Sequence, residues 1–317
     1  MSPSQFLVRF GTSIVFVLLV LVLTIHQPDT FPQWSTARDV LNEASILLIL
    51  SLGLTVVMVA GEFDLSIAGV ASASGVAGAA LSANAGASVP ICVLGAIAVG
   101  IFFGLANGVL VTVIRIPAFI ATLATGSIAL GAGYLFAGDQ PIYEGIARGY
   151  ANLGTENFLG LSIPFWVGLV LVLVLAVGMR FSRPGRLLDA VGQNSVAATL
   201  SGVSPSRFKL AAFTISGTLA GLAGMLLSAR LSVGDPQMAA GLLLPAFGAV
   251  FIGAASFYPG RFNISGTVLG VLLWELVVFG VVSLNLSAEY QNFFQGGILL
   301  LAVGFSVGIR QRKASYA

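Results

Sequence analysis

Charged side chains are scarce in this sequence. Asp, Glu, Lys and Arg account for 8% of its 317 residues, whereas soluble domains carry about 25%. Hydrophobic residues make up 57% of the chain, and the mean hydropathy is +1.01. This composition is typical of an integral membrane protein that crosses the bilayer many times, and it gives no support to nucleic-acid binding.

Cysteine and histidine are almost missing as well, with one residue of each, Cys92 and His26. A single cysteine cannot form an internal disulfide, and one of each cannot build a metal site of the usual kind. The phosphate-binding pattern GxxxxGK[ST] does not occur, so the chain is not expected to hydrolyse nucleotide by itself. We therefore predict no catalytic residue, no metal ligand and no bound cofactor, and we do not expect an enzyme.

Apolar segments long enough to span a bilayer recur along the whole chain. They predict an all-α polytopic membrane protein, a single transmembrane domain over residues 1–317 with about ten transmembrane helices. The first apolar run also fits a signal peptide, but no small-residue cleavage site follows it, which favours a retained helix. The predicted spans cover residues 10–25, 44–60, 67–83, 89–114, 117–137, 163–179, 210–229, 239–257, 264–283 and 290–309.

The distribution of basic residues predicts the orientation of these spans. With the N-terminus inside, eleven of the fourteen Lys and Arg residues fall on the cytoplasmic side, and only Arg38, Arg148 and Arg230 fall outside. Cytoplasmic loops carry an excess of Lys and Arg, so this orientation is favoured over its reverse. Both termini are therefore expected to be cytoplasmic.

Small residues recur four positions apart along several spans, which lets two helix backbones approach closely. Packing within the chain is favoured over a seam between two subunits. The pairs and triplets are Gly100, Gly104 and Gly108; Gly217 and Gly221; Gly266 and Gly270; and Gly304 and Gly308.

Two carboxylates, Glu62 and Asp64, lie in the segment GEFDLS between the second and third spans. A charged carboxylate at the centre of a membrane helix costs about 2.5 to 3.5 kcal/mol, so both must lie at a helix end or at a break facing a polar cavity. Asp64 or Ser66 can cap the helix that begins near residue 67. Contact with a transported solute is compatible with that role, so these three residues are candidates for a solute path.

Two further polar residues lie deeper inside predicted spans. Glu275 is the only acid deep within one, where a carboxylate is expected to face the bundle interior, a partner subunit or a water-filled path. A hydrogen-bonded packing role remains an equal alternative for it. Asn107 is expected to form a hydrogen bond between helices, with solute contact as the alternative.

A polar stretch of thirty residues, 180–209, separates the sixth and seventh spans and is called the island below. Pro184 and Gly185 predict a turn. Asn194 or Ser195 predicts the start of a short helix over 196–201, which Gly202 would end. From these patterns alone, the island is equally well interpreted as a docking surface for another protein or as a basic loop on anionic lipid.

A family resemblance favours docking. The segment AVGQNSVAATLSGVSPSRFKLAAFTISGTLAGLAGMLLSARLS at 190–232 is similar to the coupling region of permease subunits of ribose-type ABC sugar importers. The segments GEFDLSIAG at 61–69 and GLANGVLVTVIRIPAFIATLAT at 104–125 resemble two further segments of that family. The chain departs from the family pattern at GAASFYPGRF, 253–262, and at Trp274 and Glu275.

The resemblance implies a permease subunit of an ATP-driven importer that moves a monosaccharide or a similar small polar solute by alternating access. It implies an inner-membrane protein with a cytoplasmic ABC ATPase that binds ATP and Mg, a periplasmic or lipoprotein solute-binding protein, and a second identical or related permease. Membrane lipid is a further partner. A coupling helix in the island would contact the ATPase, through residues expected to include Arg183, Arg186, Gly192, Asn194, Ala197, Ala198, Ser201 and Gly202.

Two other functions remain open from the sequence. The chain could be a proton-coupled secondary carrier with Glu275 as its proton site. It could also be a membrane scaffold or receptor without transport.

Overall fold

The computed structural model describes residues 3–138, 140–258 and 260–284, together with residues 293, 296, 297 and 300. This part of the chain is almost entirely helical. Its helices are α1 Pro3–His26, α2 Trp34–Val59, α3 Ile67–Ala83, α4 Val89–Thr112, α5 Ala118–Ala137, α6 Arg148–Thr155, α7 Ile163–Phe181, α8 Arg183–Gln193, α9 Ser195–Leu200, α10 Pro205–Leu231, α11 Leu243–Ala254 and α12 Ile264–Ser283. A 3-10 turn, Ala240–Leu242, precedes α11, and a short antiparallel hairpin joins β1 Asn157–Phe158 to β2 Leu161–Ser162.

Six of the described helices are long and apolar enough to cross a membrane: α2, α4, α5, α7, α10 and α12. They coincide with six of the ten predicted spans, so the prediction of an all-α polytopic membrane protein is confirmed. The first, third and eighth predicted spans correspond to shorter apolar helices. Most of the tenth, 290–309, lies outside the described residues, so the total of ten stays a prediction.

Several helices extend beyond the apolar segments that predicted them. Helix α2 begins at Trp34, although its apolar segment begins at residue 44, so the polar residues up to Glu43 are helical and not a loop. At 1.5 Å per residue its 26 residues span about 39 Å, more than the roughly 30 Å of hydrocarbon. Hydropathy marks only the part of a helix that lies in lipid, because the backbone hydrogen bonds of a helix are internal and continue into water.

Helix α10 lies at the centre of the bundle and packs against α2, α3 and α4. Its contact with α4 uses the predicted glycines: a Cβ added at Gly217 would lie 2.7 Å from the Gly104 Cα, and one at Gly221 would lie 3.1 Å from the Gly100 Cα. The prediction that these glycines pack within the chain is therefore confirmed. Because glycine has no side chain, the two helix backbones can lie in contact. Gly304 and Gly308 lie outside the described residues.

Polar contacts join the helices at both ends of the bundle. At one end, Arg230 at the C-terminus of α10 forms an ion pair with Glu43 on α2, and the Asn42 carboxamide oxygen accepts the Ser162 N–H (2.9 Å). At the other end, the Arg261 guanidinium donates to Gln193 Oε1 on α8 (2.9 Å). The island lies at this second end, together with the connection between α2 and α3.

Candidate functional site: a buried break and the island packed on it

The chain breaks between α2 and α3 at residues 60–66, the segment called the break below. Gly61 turns the chain with a φ of 83°, a left-handed conformation that glycine adopts without steric penalty. From Glu62 onward the chain re-enters the bundle, and Asp64 is only 1% exposed. The prediction that these carboxylates occupy a helix break is therefore confirmed.

Asp64 is held by three hydrogen bonds. Its Oδ1 accepts the Ser66 N–H (2.9 Å) and the Ser66 hydroxyl (2.5 Å), and its Oδ2 accepts the Ser216 hydroxyl from α10 (2.8 Å). A buried carboxylate is tolerated when its oxygens accept hydrogen bonds, because the unpaired charge is otherwise expensive to desolvate. Of the two predicted caps, the Ser66 side chain makes no hydrogen bond to the first turn of α3, whereas Asp64 accepts the backbone N–H of Ser66 directly before that helix.

The same hydrogen bonds continue into α4 and α5. The Asn107 side-chain amide donates to the Ser66 hydroxyl (2.8 Å), and the Thr125 hydroxyl donates to Asn107 Oδ1 (2.5 Å). Asn107 is 1% exposed and Thr125 4%. Asn107 therefore forms the predicted hydrogen bonds between helices. We call Asp64, Ser66, Asn107, Thr125 and Ser216 the polar network.

Thr125 and Ser216 were missed by sequence reasoning. Both are small hydroxyl residues within apolar helices, where such a residue more often donates to the carbonyl four positions earlier. The available signal was their position in two of the segments that carry the family resemblance, 104–125 and 190–232, but spacing along one helix does not reveal a partner on another.

Glu62 does not join the polar network. Its carboxylate pairs with Lys209 in the first turns of α10, with Nζ and Oε1 2.5 Å apart. Glu275 lies apart from both, on α12. The five predicted solute-path residues thus occupy three places: Asp64, Ser66 and Asn107 lie in the polar network, Glu62 lies beside the island, and Glu275 lies in the interior of α12.

The first half of the island forms α8, an amphipathic helix. Pro184 and Gly185 lie in its first turn, and the Ser182 hydroxyl caps it by accepting the Gly185 N–H (3.1 Å). The predicted turn at these two residues is therefore wrong, because proline is well suited to the first turn of a helix and a serine precedes it as cap. Arg183 and Arg186 lie on the exposed side of α8, while Leu188 and Val191 are buried.

The predicted short helix is present as α9. The Asn194 carboxamide oxygen accepts the Ala197 N–H (2.9 Å), and Gly202 follows with a φ of 78°. Both the cap and the glycine stop are confirmed. The helix begins at Ser195 and ends at Leu200, and Ser201 is the residue that follows it.

The side chains of α9 divide into a buried and an exposed face. Ala198 is 7% exposed and packs inward, so it does not form part of the outer surface that the sequence suggested. Val196 and Leu200, by contrast, are 67% and 85% exposed. We call Val196, Ala197 and Leu200 the outer face of α9. The four-residue spacing of Val196 and Leu200 was a signal for a shared helical face that the sequence interpretation did not use.

The island packs directly on the break. A Cβ added at Gly61 would lie 3.3 Å from the Gly192 carbonyl oxygen, and Gly192 itself packs against Val59 and Ala60. Gly192 therefore serves this internal contact, which leaves no room for a side chain. With the ion pair of Glu62 and Lys209, the island touches the break at two points, three residues or fewer from Asp64.

Among the described residues, no group of three or more His, Cys, Asp and Glu side chains is arranged to hold a metal ion. The side chains of the polar network are buried against one another, and the outer face of α9 is open. These features define a multi-pass helical membrane protein in which an exposed short helix is linked to a buried polar break.

Comparison with known proteins identifies the family. Residues 36–303 match the model of the family described as branched-chain amino acid transport system / permease component. The chain belongs to this family. No solved structure matches it.

Individual relatives are permeases of ABC importers. The chain is 35% identical to the L-arabinose ABC transporter permease protein AraH of Azospirillum brasilense, over 98% of this chain and 91% of that protein. It is 28% identical to the ribose import permease protein RbsC of Haemophilus influenzae, over 94% of this chain and 93% of the relative. It is 31% identical to the autoinducer 2 import system permease protein LsrC of Salmonella paratyphi B, over 95% of this chain and 87% of that relative.

These comparisons confirm the resemblance to the permease subunits of ribose-type ABC importers. With its six apolar helices, the chain is a multi-pass protein of the bacterial inner membrane.

Proposed function

We propose that this chain is the permease subunit of an ATP-driven importer that carries a monosaccharide or a similar small polar solute by alternating access. The observation that carries the proposal is the packing of the island on the break. A motor that moves α9 would act on the polar network through Gly192 and Lys209, both of which contact the break.

The motor in this proposal is a separate cytoplasmic ABC ATPase, which binds ATP and Mg. Its docking surface is the outer face of α9 together with the exposed side of α8, where Arg183 and Arg186 lie. Val196 and Leu200 support this role because large apolar side chains exposed to water in a cytoplasmic loop are unfavourable unless a partner covers them.

Asn194 and Gly202 contribute by shaping α9, through its cap and its left-handed stop, and Ser201 ends it. Ala198 contributes from the inner side, where it fixes α9 against the bundle. These residues position the docking helix, whereas the outer face contacts the partner.

The remaining partners follow from the class of importer. A periplasmic or lipoprotein solute-binding protein would deliver the solute at the end where Arg230 and Glu43 lie, and a second identical or related permease would complete the path. The names of the relatives, for L-arabinose, ribose and autoinducer 2, support a small polyhydroxylated solute.

Reconstitution tests this function. Proteoliposomes that contain the permease, the ATPase and the binding protein are expected to take up solute only with ATP and only with all three components. Uptake by this chain alone, driven by a pH gradient and lost in Glu275→Gln, would instead support the proton-coupled carrier. Solute binding without any uptake by the full assembly would support a receptor.

A further inference from the structure

A cavity of about 280 Å³ opens at the end of the bundle where the island lies. Its walls are the C-terminal end of α4, one side of α9 and the first turns of α10. The polar residues that line it are Glu62, Thr112, Arg115, Ser195, Thr199, Ser206 and Lys209. Of the three residues in the outer face of α9, Val196 lines the cavity, whereas Ala197 and Leu200 do not. The cavity therefore lies beside the outer face and shares only Val196 with it.

Two cations face this cavity, with one carboxylate between them. Lys209 is about one quarter exposed and donates one of its three N–H groups to Glu62. Arg115 makes no hydrogen bond or ion pair with any described residue, so its five N–H donors are free within this part of the chain. The cavity therefore carries an excess of positive charge and of hydrogen-bond donors.

The backbone at Arg115 holds its side chain in this position at some cost. Its φ is 66°, the left-handed region that residues other than glycine seldom adopt. Strained positions of this kind persist where the surrounding structure requires them, and they cluster at ligand-binding sites. The chain turns here, between the end of α4 and the start of α5, so that an arginine lines the wall.

Further donors surround the two cations. No described residue accepts a hydrogen bond from the hydroxyl of Ser195 or of Ser206. Helix α10, which is 27 residues long, begins at the cavity without a side-chain cap from Ser204, so its first amide groups are not satisfied by that residue. Donors on three walls and a guanidinium fork suit an anion with several acceptor oxygens, which a phosphoryl group provides.

We propose that this cavity binds the phosphoryl group of a small phosphomonoester or of a lipid headgroup, between Arg115 and Lys209. The volume is at the lower limit of small-molecule pockets, which fits a headgroup or a small metabolite and not a nucleotide-sized ligand. The proposal concerns the cavity alone and stands whatever drives transport.

Binding would also act on the break. An anion that reaches the free N–H groups of Lys209 shares that ammonium charge with the Glu62 carboxylate, and the two negative charges repel each other. The occupied site would thus weaken the ion pair between α10 and the break, and it would contact α9 through Ser195. Such a site lets a cytoplasmic phosphate or the surrounding lipid adjust the link between the island and the polar network.

The test measures binding of inorganic phosphate and of glycerol 3-phosphate to the purified full-length protein at constant ionic strength. Arg115→Gln is expected to weaken binding by about tenfold or more, since it removes a charge-assisted pair of hydrogen bonds. Glu62→Gln is expected to strengthen binding, because it removes the repelling carboxylate. Arg207→Gln is the matched control, as it removes a cation from the same helix that does not line the cavity, and it should bind as the wild type does.

Nanodiscs distinguish the two sources of the phosphoryl group. If glycerol 3-phosphate binds in phosphatidylcholine nanodiscs but not in phosphatidylglycerol nanodiscs, anionic lipid fills the cavity; if it binds equally in both, a soluble phosphomonoester is the ligand. The proposal is overturned if neither phosphate probe binds in phosphatidylcholine nanodiscs. It is also overturned if Arg115→Gln and Arg207→Gln have the same effect, or if Glu62→Gln weakens binding as Arg115→Gln does.

Discussion

Lys209 and Glu62 form an ion pair, with Nζ and Oε1 2.5 Å apart, that joins the first turns of α10 to the break between α2 and α3. The residues are 147 positions apart in the sequence. Two residues beyond Glu62, the Asp64 carboxylate accepts a hydrogen bond from Ser216, which is on α10 as well. Helix α10 thus contacts the break twice, at the partly exposed Glu62 and at the buried Asp64.

The ion pair itself can be tested by charge reversal. The Lys209 and Glu62 side chains are 23% and 19% exposed. The pair therefore lies between exposed pairs, worth up to about 1 kcal/mol, and buried ones, where loss of one partner costs about 3 to 5 kcal/mol. Glu62→Lys and Lys209→Glu should each lower the melting temperature of the purified protein, and the double variant should recover most of the loss. Additive losses in the double variant would show that the two charges do not interact.

The polar network predicts a larger effect at Asp64. Asp64→Ala leaves three buried donors without an acceptor, at about 1 to 3 kcal/mol for each. The variant should therefore yield much less folded protein, measured by size-exclusion chromatography in detergent. Ser216→Ala, which removes one of the three donors, should cause a clearly smaller loss. Equal losses in the two variants would contradict the central position of the carboxylate.

Glycine packing gives a matched pair of substitutions. A Cβ at Gly104 would lie 2.5 Å from the Phe213 carbonyl oxygen, whereas one at Gly131 on α5 has no atom within 4 Å. Gly104→Ala should separate α4 from α10 and lower the melting temperature. Gly131→Ala should leave it unchanged or raise it, because alanine is favoured over glycine in helices by about 0.5 to 1 kcal/mol. Similar losses at both positions would argue against the close helix contact.

Much of this arrangement could be predicted from the sequence, because its signals are local. Apolar length predicted the six long spans, and Asn194 and Gly202 predicted the limits of α9, since a cap and a left-handed stop act within a few residues. The contacts of Ser216 with Asp64 and of Lys209 with Glu62 could not be predicted, because pairing between distant segments depends on which helices are neighbours. The inward direction of Ala198 depends on the same information.

The positive-inside rule predicts opposite sides for Leu200 and Leu159. With a cysteine at position 200, a membrane-impermeant maleimide should label only inside-out vesicles, and with one at 159 it should label intact spheroplasts. Both side chains are exposed, at 85% and 75%, and the native Cys92 is buried, so background labelling should be low. The reverse pattern would place the island outside and contradict the charge argument.

The outer face of α9 predicts a loss of coupling in Leu200→Glu. A charge there should not disturb the permease fold, since the side chain is exposed, but it would be buried in the ATPase contact. Retention of the ATPase and ATP-driven uptake should fall by about tenfold or more, as for a central interface residue. Leu159→Glu on the opposite end is the control and should retain the ATPase. Full uptake in Leu200→Glu would remove α9 from the docking surface.

The most direct measurement of the central claim, that the motor contacts α9, is a photo-crosslink from position 200 in the assembled transporter. A photoreactive amino acid in place of Leu200 should form an adduct with the ATPase subunit, and the same group in place of Leu159 should not. If position 200 forms no ATPase adduct while the assembly imports solute with ATP, the motor docks elsewhere and the account is wrong.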